Sequence, residues 1–471
     1  MKKQVSEKTF IIEVWTVISA YTSGAKNMNW RQIYSERLKT AVKAAELVRS
    51  GDAFWTPLCL GQPSAVLMDA IADRNDELED VEYAFGFAIK PYKIFQPEYR
   101  RTFNLMPVFY STMPHQQELA RSMWANFFPI QSSDFKVKVP HRRRTYPRRI
   151  GLITQVSSPD EHGYVNLGLD AFWTKTAIEE AEYVIAEVNE KMPRAFGDMN
   201  IHVSEFSAFV ENSSDLPVFS IPEATDVERK IAENVVGLLK DRDCLQLGIG
   251  AVPAMIGKLL VGSGLKDLGV HTEMAPAGVH DLVEKDIVTC RYKKLHPGKI
   301  LLSFAVGDSK LYRFLGNNPM CEWRETFYVN NPSIICQEDN IVAVNGTLEV
   351  DLTGQVCSES YGNIMRSGPG GQLDFVIGAF WSKGGRAINL VPATAKGGAV
   401  SRIVPYLSQG ARVTVPRHYT GYVVTEYGVA DLYGRTEPER AEALISVAHP
   451  DFRDELEKGA RERGLLYKKI F

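Results

Sequence analysis

The sequence has few cysteines, and they show no pairing pattern. Six occur among 471 residues, none in a C-x-x-C spacing or beside a histidine cluster: Cys59, Cys244, Cys290, Cys321, Cys336 and Cys357. That scatter argues against a disulfide-stabilised secreted scaffold and against a zinc site. We therefore expect buried, reduced thiols, no bound metal and a cytoplasmic location.

The chain also lacks a charge excess and long apolar runs. Its 54 basic and 57 acidic residues leave a formal net charge of −3, which gives no broad electrostatic attraction to nucleic acid or anionic lipid. The basic run at 141–150, "HRRRTYPRRI", is expected to form an exposed loop or an interface. No segment approaches the roughly 18 apolar residues that cross a bilayer, so we expect no membrane partner.

The first 28 residues imitate a signal peptide, because two lysines precede an apolar segment that ends in small residues. Glu13 interrupts the apolar run, and Glu7 and Lys8 stand in front of it. Such charges do not suit the apolar core of a signal peptide. We therefore predict an N-terminal extension over residues 1–28 rather than an export signal.

An internal repeat organises the rest of the chain. The segments 50–71 and 240–261 resemble each other, and an ungapped alignment at an offset of 189 positions brings Gly61 onto Gly250. Each segment contains a charged turn, a short apolar run, a Gly/Pro loop and a helical pattern. A strand, a loop and a helix in this order are the unit from which parallel sheets are built.

The length of 471 residues and the 45% hydrophobic content favour two globular domains. We predict an α/β protein with two similar open domains, 29–222 and 223–471, with largely parallel sheets and a site at their interface. Further apolar runs predict strands at 149–157, 183–188, 341–346, 387–393 and 411–416.

Glycine-rich loops follow several predicted strands. In "LGIGAVP" the glycines Gly248 and Gly250 allow backbone N–H groups to approach an anion. The segment is not a complete dinucleotide-binding motif, because Pro253 stands in place of the third glycine. A tight turn with only a structural role is the alternative interpretation. The step Asn345-Gly346 predicts a hairpin turn or a strand edge. The loop 368–371, "GPGG", is expected to lead into an apolar strand and to present amides to an oxyanion.

Many short motifs occur here in one order: "GVHTEM", "LGIGAVP", "LEVDLTGQV", "GGQLDFVIGA", "SKGG", "TAKGGAVSRIVP", "VVTEYGVADL" and "AHPDFRDELE". Together they resemble the acetyl-CoA hydrolase/transferase family of class I CoA-transferases, and within it the 4-hydroxybutyrate and butyrate types. The resemblance runs from about residue 29 to the C-terminus. It implies an enzyme that acts on acyl-CoA and small carboxylic acids, with CoA as co-substrate, no tightly bound cofactor and a homo-oligomeric state, dimer or tetramer.

The resemblance also assigns roles to individual residues. Glu273 of "HTEM" matches the family's nucleophile, whose carboxylate would become a γ-glutamyl-CoA thioester, and the amides of Gly370 and Gly371 would hold the oxyanion. It implies CoA contacts at Gly248, Ile249, Gly250, Ala251, Val252, Asn345, Gly371 and Lys396. It also implies that Glu426 lies close to the reacting carbonyl. From the internal repeat, the first glycine loop around Gly61 is expected to shape the acyl pocket. The basic run at 141–150 is a further, weaker candidate for contact with a CoA phosphate.

Each of these residues also has an ordinary structural explanation. Glu273 could be a loop acid, Asn345 a turn residue and Glu426 an ion-pair partner. His271 is expected to be packed or hydrogen-bonded, because the proposed chemistry needs no proton transfer. Many relatives follow the glutamate with an Asp-Gly pair, whereas Ala277-Gly278 stands here. The sequence therefore does not determine the hydrogen bonds around Glu273 or the acyl group that the site accepts.

Three functions remain compatible with the sequence. The first is a transferase that moves CoA between short-chain carboxylates, and the second is a thioesterase in which water takes the acyl group at the same site. The third is a non-catalytic module that binds metabolites, since related α/β folds also serve as ligand sensors. Glu273 separates the third from the others, because a sensor does not need a nucleophile.

Overall fold

Two six-stranded sheets form the framework of the chain in the computed structural model, which describes residues 29–220, 222–248 and 250–466. The predicted extension 1–28 therefore lies outside the described residues. The predicted α/β class with largely parallel sheets is confirmed. The boundary predicted between 222 and 223 stays a prediction; the strands of the first sheet end at Glu211, and those of the second begin at Cys244.

The part of the chain that carries the first sheet, here called the first half, contains eight strands among the described residues. In chain order these are β1 (Ala53–Trp55), β2 (Val81–Phe85), β3 (Phe103–Pro107), β4 (Ile150–Val156), β5 (Tyr164–Asn166), β6 (Tyr183–Val188), β7 (Asn200–His202) and β8 (Ala208–Glu211). The sheet order is β3-β2-β1-β4-β6-β8, and every neighbouring pair is parallel, whereas β5 and β7 form a separate antiparallel ribbon. After β1, the chain first adds β2 and β3 on one side and then β4, β6 and β8 on the other, so the topological switch point lies between β1 and β4.

The second half contains the other strands: β9 (Cys244–Leu247), β10 (Gly269–Val270), β11 (Ile300–Leu302), β12 (Cys321–Trp323), β13 (Ile341–Gly346), β14 (Glu349–Asp351), β15 (Val356–Cys357), β16 (Ser360–Tyr361), β17 (Ile364–Met365), β18 (Arg386–Leu390), β19 (Thr394–Ala395), β20 (Val400–Ser401), β21 (Ile403–Val404), β22 (Tyr422–Thr425) and β23 (Gly428–Asp431). The main sheet has the order β10-β9-β13-β18-β22-β23, and only β23 is antiparallel. Here the switch of direction lies between β9 and β13.

Helices connect and cover the sheets. They are α1 (Trp30–Arg37), α2 (Ala41–Ala45), α3 (Ala65–Ala72), α4 (Pro114–Ser122), α5 (Phe135–Thr145), α6 (Thr174–Glu180), α7 (Asp226–Val236), α8 (Ala251–Leu260), α9 (Val279–Glu284), α10 (Ser309–Leu315), α11 (Thr326–Val329), α12 (Pro332–Ile335), α13 (Gln372–Trp381), α14 (Glu437–Ser446) and α15 (Arg453–Glu462). Within the described ranges, none of them is long and apolar enough to cross a membrane.

The repeated unit of strand, loop and helix occurs in both halves with loops of different length. In the first copy β1 ends at Trp55 and Ser64 caps α3, whereas in the second β9 ends at Leu247 and Gly250 already caps α8. Gly250 has a φ of 128°, a conformation that glycine adopts without steric cost. The ungapped alignment therefore matches the helices better than the strands.

Two strand predictions are wrong and one turn lies elsewhere. The apolar run after Gly371 is the helix α13, because its buried residues Phe375, Val376 and Ala379 follow helical spacing, and short apolar runs do not distinguish the two structures. Residues 411–416 form no strand, since only Val415 bridges β15. The step Asn345-Gly346 ends the central strand β13, and the hairpin turn lies between β14 and β15.

The two halves share a hydrophobic core. One continuous cluster of buried apolar side chains includes Trp55 and Leu152 from the first sheet and Leu245 and Val344 from the second. Burial on this scale is the main force that holds the halves together, because apolar surface removed from water contributes about 25 cal/mol per Å². The carboxyl ends of the parallel strands in both sheets are thereby brought to one interface.

Candidate active site

A cavity of about 210 Å³ lies between the two halves, at the carboxyl ends of parallel strands from both sheets. This is where open α/β sheets usually bind ligands. The second half contributes a wall rich in polar groups and glycines, including Gln246, Gly248, Glu273, Asn345, Ser358, Ser367, Gly370, Gly371 and Gln372. The first half contributes a wall that is apolar apart from Ser132: Leu58, Phe87, Val108, Phe109, Ile130, Phe135, Phe172 and Trp173.

Glu273 stands on a turn three residues after β10, and its main chain is fixed. Its carbonyl oxygen accepts hydrogen bonds from the N–H groups of Ser303, at 2.9 Å, and Phe304, at 3.1 Å. The preceding residue, Thr272, is buried and donates its hydroxyl to the carbonyl of Met274 at 3.0 Å. The turn is therefore held from both sides, which limits the positions that the Glu273 carboxyl can take.

The carboxyl group of Glu273 has one polar partner from each half of the molecule. The Asn330 side-chain amide donates to Oε2 at 2.5 Å, and the Ser132 hydroxyl donates to Oε1 at 3.2 Å. Burial raises the pKa of Glu273 to about 7, although both hydrogen bonds favour the charged form and lower it. Glu273 is only partly exposed, and a carboxylate with reduced hydration is a stronger nucleophile than one on the open surface.

A second acid, Asp374, lies in the first turn of α13 and binds the loop that carries Ser132. Its carboxyl accepts hydrogen bonds from the Ser133 N–H at 3.1 Å, the Ser133 hydroxyl at 2.7 Å and the side-chain amide of Gln131. Burial raises the pKa of Asp374 well above its usual range, the nearby Glu273 charge adds to the rise, and the hydrogen bonds oppose it. Asp374 thereby attaches the first half of the molecule to the second beside Glu273.

The glycine loop 368–371 reaches Glu273 directly. Gly371 caps α13, and a β-carbon added there would collide with the Glu273 carboxyl and the Asn330 amide. The carbonyl of Gly370 accepts the N–H of Ser132 at 3.0 Å, so this loop also contacts the first half. The predicted oxyanion residues Gly370 and Gly371 therefore lie in the same cavity wall as the predicted nucleophile.

The predicted CoA contacts are only partly in this cavity. Gly248 and Asn345 line it, at the switch point between β9 and β13, and Asn345 exchanges hydrogen bonds of 3.2 and 3.0 Å with the Gln246 amide. Ile249 lies outside the described residues. Gly250, Ala251 and Val252 start the helix α8 just behind Gly248 and are not part of the cavity lining.

Three other predicted residues also lie away from the lining. Gly61 is packed tightly against Pro57 and donates its N–H to Asp170 at 3.2 Å. Lys396 is exposed, at the tip of the ribbon formed by β19 and β20. The Glu426 carboxyl accepts the N–H of Ala393 at 2.9 Å, which holds the segment after β18.

His271 and the basic run have structural roles in the fold. His271 is fully buried with Nε2 2.8 Å from the carbonyl of Val329, and burial lowers its pKa to about 3, so the ring is neutral. In the basic run, Arg148 pairs with Asp80 at 2.9 Å and Arg149 pairs with Asp52 at 2.9 Å. Arginines of this run therefore bind the first sheet and its loops.

Sequence reasoning missed several residues around Glu273. Asp374 stands in the quoted motif "GGQLDF". Ser132 begins a short 3-10 helix and Asn330 caps the end of α11, and no sequence pattern marks either residue as part of a site. The aromatic wall had a weak signal, because Phe87 and Phe109 each stand two residues after the end of a mostly apolar strand. These contacts depend on how distant segments meet.

Comparison with known proteins shows which family the chain is similar to. The family model described as the acetyl-CoA hydrolase/transferase N-terminal domain matches residues 23–234, and the corresponding C-terminal domain matches residues 307–460. The chain is also similar to the crystal structure of RipA from Yersinia pestis, with a TM-score of 0.84 and 33% identity. That match covers 93% of this chain and 100% of the other.

Curated relatives give the same result over nearly the whole length. The 4-hydroxybutyrate coenzyme A transferase of Clostridium kluyveri is 42% identical over 93% of this chain and 100% of its own. The succinyl-CoA:cyclohexane-1-carboxylate CoA transferase of Geobacter metallireducens is 39% identical over 92% of this chain and 97% of its own. The predicted family is thus confirmed: the chain belongs to the acetyl-CoA hydrolase/transferase family and is an enzyme of the CoA-transferase class.

Proposed function

We propose that the enzyme moves CoA from an acyl-CoA to a short-chain carboxylic acid, with Glu273 as the nucleophile. The observation that carries the proposal is the position of the Glu273 carboxyl, which lines the cavity between the two halves and is held by Asn330 and Ser132. No other cofactor is required by this chemistry, and CoA enters as part of the substrate. The names of the two transferase relatives support the same class of reaction.

The first half-reaction consists of two displacements. The Glu273 carboxylate attacks the thioester carbonyl, the C–S bond breaks, and an acyl-glutamyl anhydride and the CoA thiolate result. The thiolate then attacks the glutamyl carbonyl, the anhydride C–O bond breaks, and the first carboxylic acid leaves as its carboxylate. The enzyme retains CoA as a γ-glutamyl thioester, so a difficult exchange is divided into easier steps.

The second half-reaction reverses these steps with a new acid. The incoming carboxylate attacks the glutamyl thioester to give an anhydride and the CoA thiolate, which then attacks the new acyl carbonyl and restores the Glu273 carboxylate. Each tetrahedral intermediate carries an oxyanion. The N–H groups of Gly370 and Gly371, at the N-terminal end of α13, are the proposed donors to it.

The predicted CoA contacts complete the proposal. Gly248 and Asn345 line the cavity, and the helix α8 begins directly behind Gly248. We propose that the pantetheine thiol end enters along this edge, with Ile249, Gly250, Ala251, Val252 and Lys396 as candidate contacts for the rest of CoA. We propose that Glu426 and Gly61 act by holding neighbouring loops in position. The Glu426 carboxyl accepts the N–H of Ala393, and the N–H of Gly61 donates to Asp170.

The proposal is tested by steady-state kinetics with acyl-CoA and acceptor acid varied together. A CoA-enzyme intermediate predicts parallel lines in double-reciprocal plots, because the first product leaves before the second substrate reacts. Intersecting lines would point to direct transfer in a ternary complex. The thioesterase alternative predicts release of CoA without acceptor at a rate similar to transfer, and we expect that release to be slow because the aromatic wall restricts water.

A further inference from the structure

The cavity wall from the first half is a set of apolar side chains at the ends of three adjacent strands. Leu58, Phe87 and Phe109 follow β1, β2 and β3 within two or three residues, and all three line the cavity. Phe172 and Trp173 extend the wall, and both are buried. Phe109 is the partly exposed member, with its ring next to the glycine loop near Glu273.

No lysine or arginine occurs among the described residues that line this cavity. Three cations that are close in sequence to lining residues contact other groups instead of the cavity. The Lys90 ammonium donates to the carbonyls of Gln62 and Pro63, at 3.1 and 3.0 Å. Lys136 pairs with Glu179 at 3.4 Å, and the Arg366 guanidinium lies 5.8 Å from the Tyr361 ring centre.

The acidic groups in and behind the cavity make this lack of cations important. Glu273 lines the cavity, and Asp374 lies behind it on α13. A second carboxylate on the acyl chain would lose its water against an apolar wall with no opposite charge, and burying an unpaired charge is strongly unfavourable. A neutral acyl chain gains from the same burial.

We infer that the acyl site selects uncharged monocarboxylates with a compact apolar body and discriminates against dicarboxylates. This inference rests on the proposed function. Membership of the family does not decide the matter, because the names of its relatives include both 4-hydroxybutyrate and succinyl-CoA. The wall around Phe109 therefore acts as the specificity determinant in this chain.

The test compares two acceptor acids that share a four-carbon backbone and differ in net charge, with butyryl-CoA as donor. Monomethyl succinate and succinate have the same carbon backbone, but only succinate carries a second carboxylate. We expect kcat/KM for succinate to be at least about 100-fold lower than for monomethyl succinate, the scale of an uncompensated buried charge. A difference of less than tenfold would overturn the inference. Failure of every acid, including acetate, would instead reject the proposed transferase function.

A variant pair tests which residue sets this preference. Phe109→Arg places a cation in the apolar wall. We expect the ratio of kcat/KM for succinate to kcat/KM for monomethyl succinate to rise at least tenfold in this variant. Phe109→Leu changes size without adding charge and should keep the wild-type preference. An unchanged ratio of the two kcat/KM values in Phe109→Arg protein that still transfers CoA to acetate would contradict the role of charge in this wall. If the arginine variant does not fold, the wild-type comparison remains decisive.

Discussion

The two sheets have the same kind of edge at the cavity but present opposite chemistry there. At the ends of β1, β2 and β3 stand apolar side chains such as Leu58, Phe87 and Phe109, whereas at the ends of β9 and β13 stand Gly248 and Asn345. The second edge also carries the turn with Glu273. The repeated architecture therefore presents one apolar wall and one wall that carries the proposed nucleophile.

The contrast extends to the connections between the halves. Ser132 is the polar exception in the apolar wall, and it donates to Glu273 from across the interface. Its neighbours Gln131 and Ser133 bind Asp374 of the other half. Neither half contains the complete set of contacts, because the carboxyl of Glu273, the proposed nucleophile, is held by the Asn330 amide of its own half and by the Ser132 hydroxyl of the other.

The largest expected effect comes from removing the charge of the polar wall. Glu273→Gln keeps the shape of the side chain but abolishes the attacking carboxylate, so transfer should fall by about 10⁴-fold or more. Glu273→Asp retracts the carboxylate by one methylene and should cost about 10²-fold. Rates are measured by exchange of CoA between butyryl-CoA and acetate.

Glu325→Gln is the matched control for this change. Burial also raises the pKa of Glu325 to about 7, and its carboxyl accepts hydrogen bonds from Thr176, but it does not line the cavity. We expect this variant to stay within a few-fold of the wild type. Equal losses in the two glutamine variants would show that a buried acid is needed only for stability.

The next largest effect should follow from closing the space between the glycine loop and the nucleophile. Gly371→Ala adds a β-carbon that collides with Glu273 and Asn330, at a φ of −100° that alanine adopts without strain. We expect a loss of about 10²-fold in kcat, comparable to a misplacement of about 1 Å. Gly262→Ala, where nothing lies within 4 Å of the added carbon, should leave the rate unchanged.

The pH dependence sharpens the contrast between a buried and an exposed carboxylate. The Glu273 pKa is raised to about 7, and only the ionised form attacks. As the pH falls below 7, protonation should lower kcat/KM by about tenfold per unit, and above 7 the rate should level off. An exposed glutamate with a pKa near 4.3 would instead give a flat profile between pH 5.5 and 8.5.

A smaller effect is expected from loosening the connection between the walls. Asp374→Asn leaves one acceptor oxygen for three donors on Gln131 and Ser133, so the loop with Ser132 should lose order. We expect kcat to fall about tenfold with little change in KM for acyl-CoA. Asp215→Asn changes a surface acid and serves as the control. A proportional rise in KM would assign Asp374 to substrate binding.

The sequence predicted the elements that depend on local pattern. The apolar runs at 183–188 and 341–346 coincide with β6 and β13, since buried parallel strands appear as continuous hydrophobic segments. The turn that carries Glu273 was recognised from its motif. The run after Gly371 was assigned wrongly because an apolar stretch of this length suits a strand and a buried helix equally.

The sequence could not predict contacts that arise from folding at long range. Ser132 is separated from Glu273 by 141 positions and Asn330 by 57, so no local pattern connects them. The arrangement of the apolar wall depends on which strands are neighbours, and this follows from the sheet order rather than from any one segment. The apolar wall and the hydrogen-bond partners of Glu273 therefore became visible only in the assembled cavity.

The most direct test of the mechanism is to trap the intermediate on Glu273. The wild-type enzyme is mixed with acyl-CoA without acceptor, treated with borohydride or hydroxylamine, digested and mapped by mass spectrometry. A glutamyl thioester is reduced or converted by these reagents, whereas a free carboxylate is not. We predict modification at Glu273 in the wild type and none in Glu273→Gln. An unmodified Glu273 in enzyme that still transfers CoA would contradict the covalent mechanism.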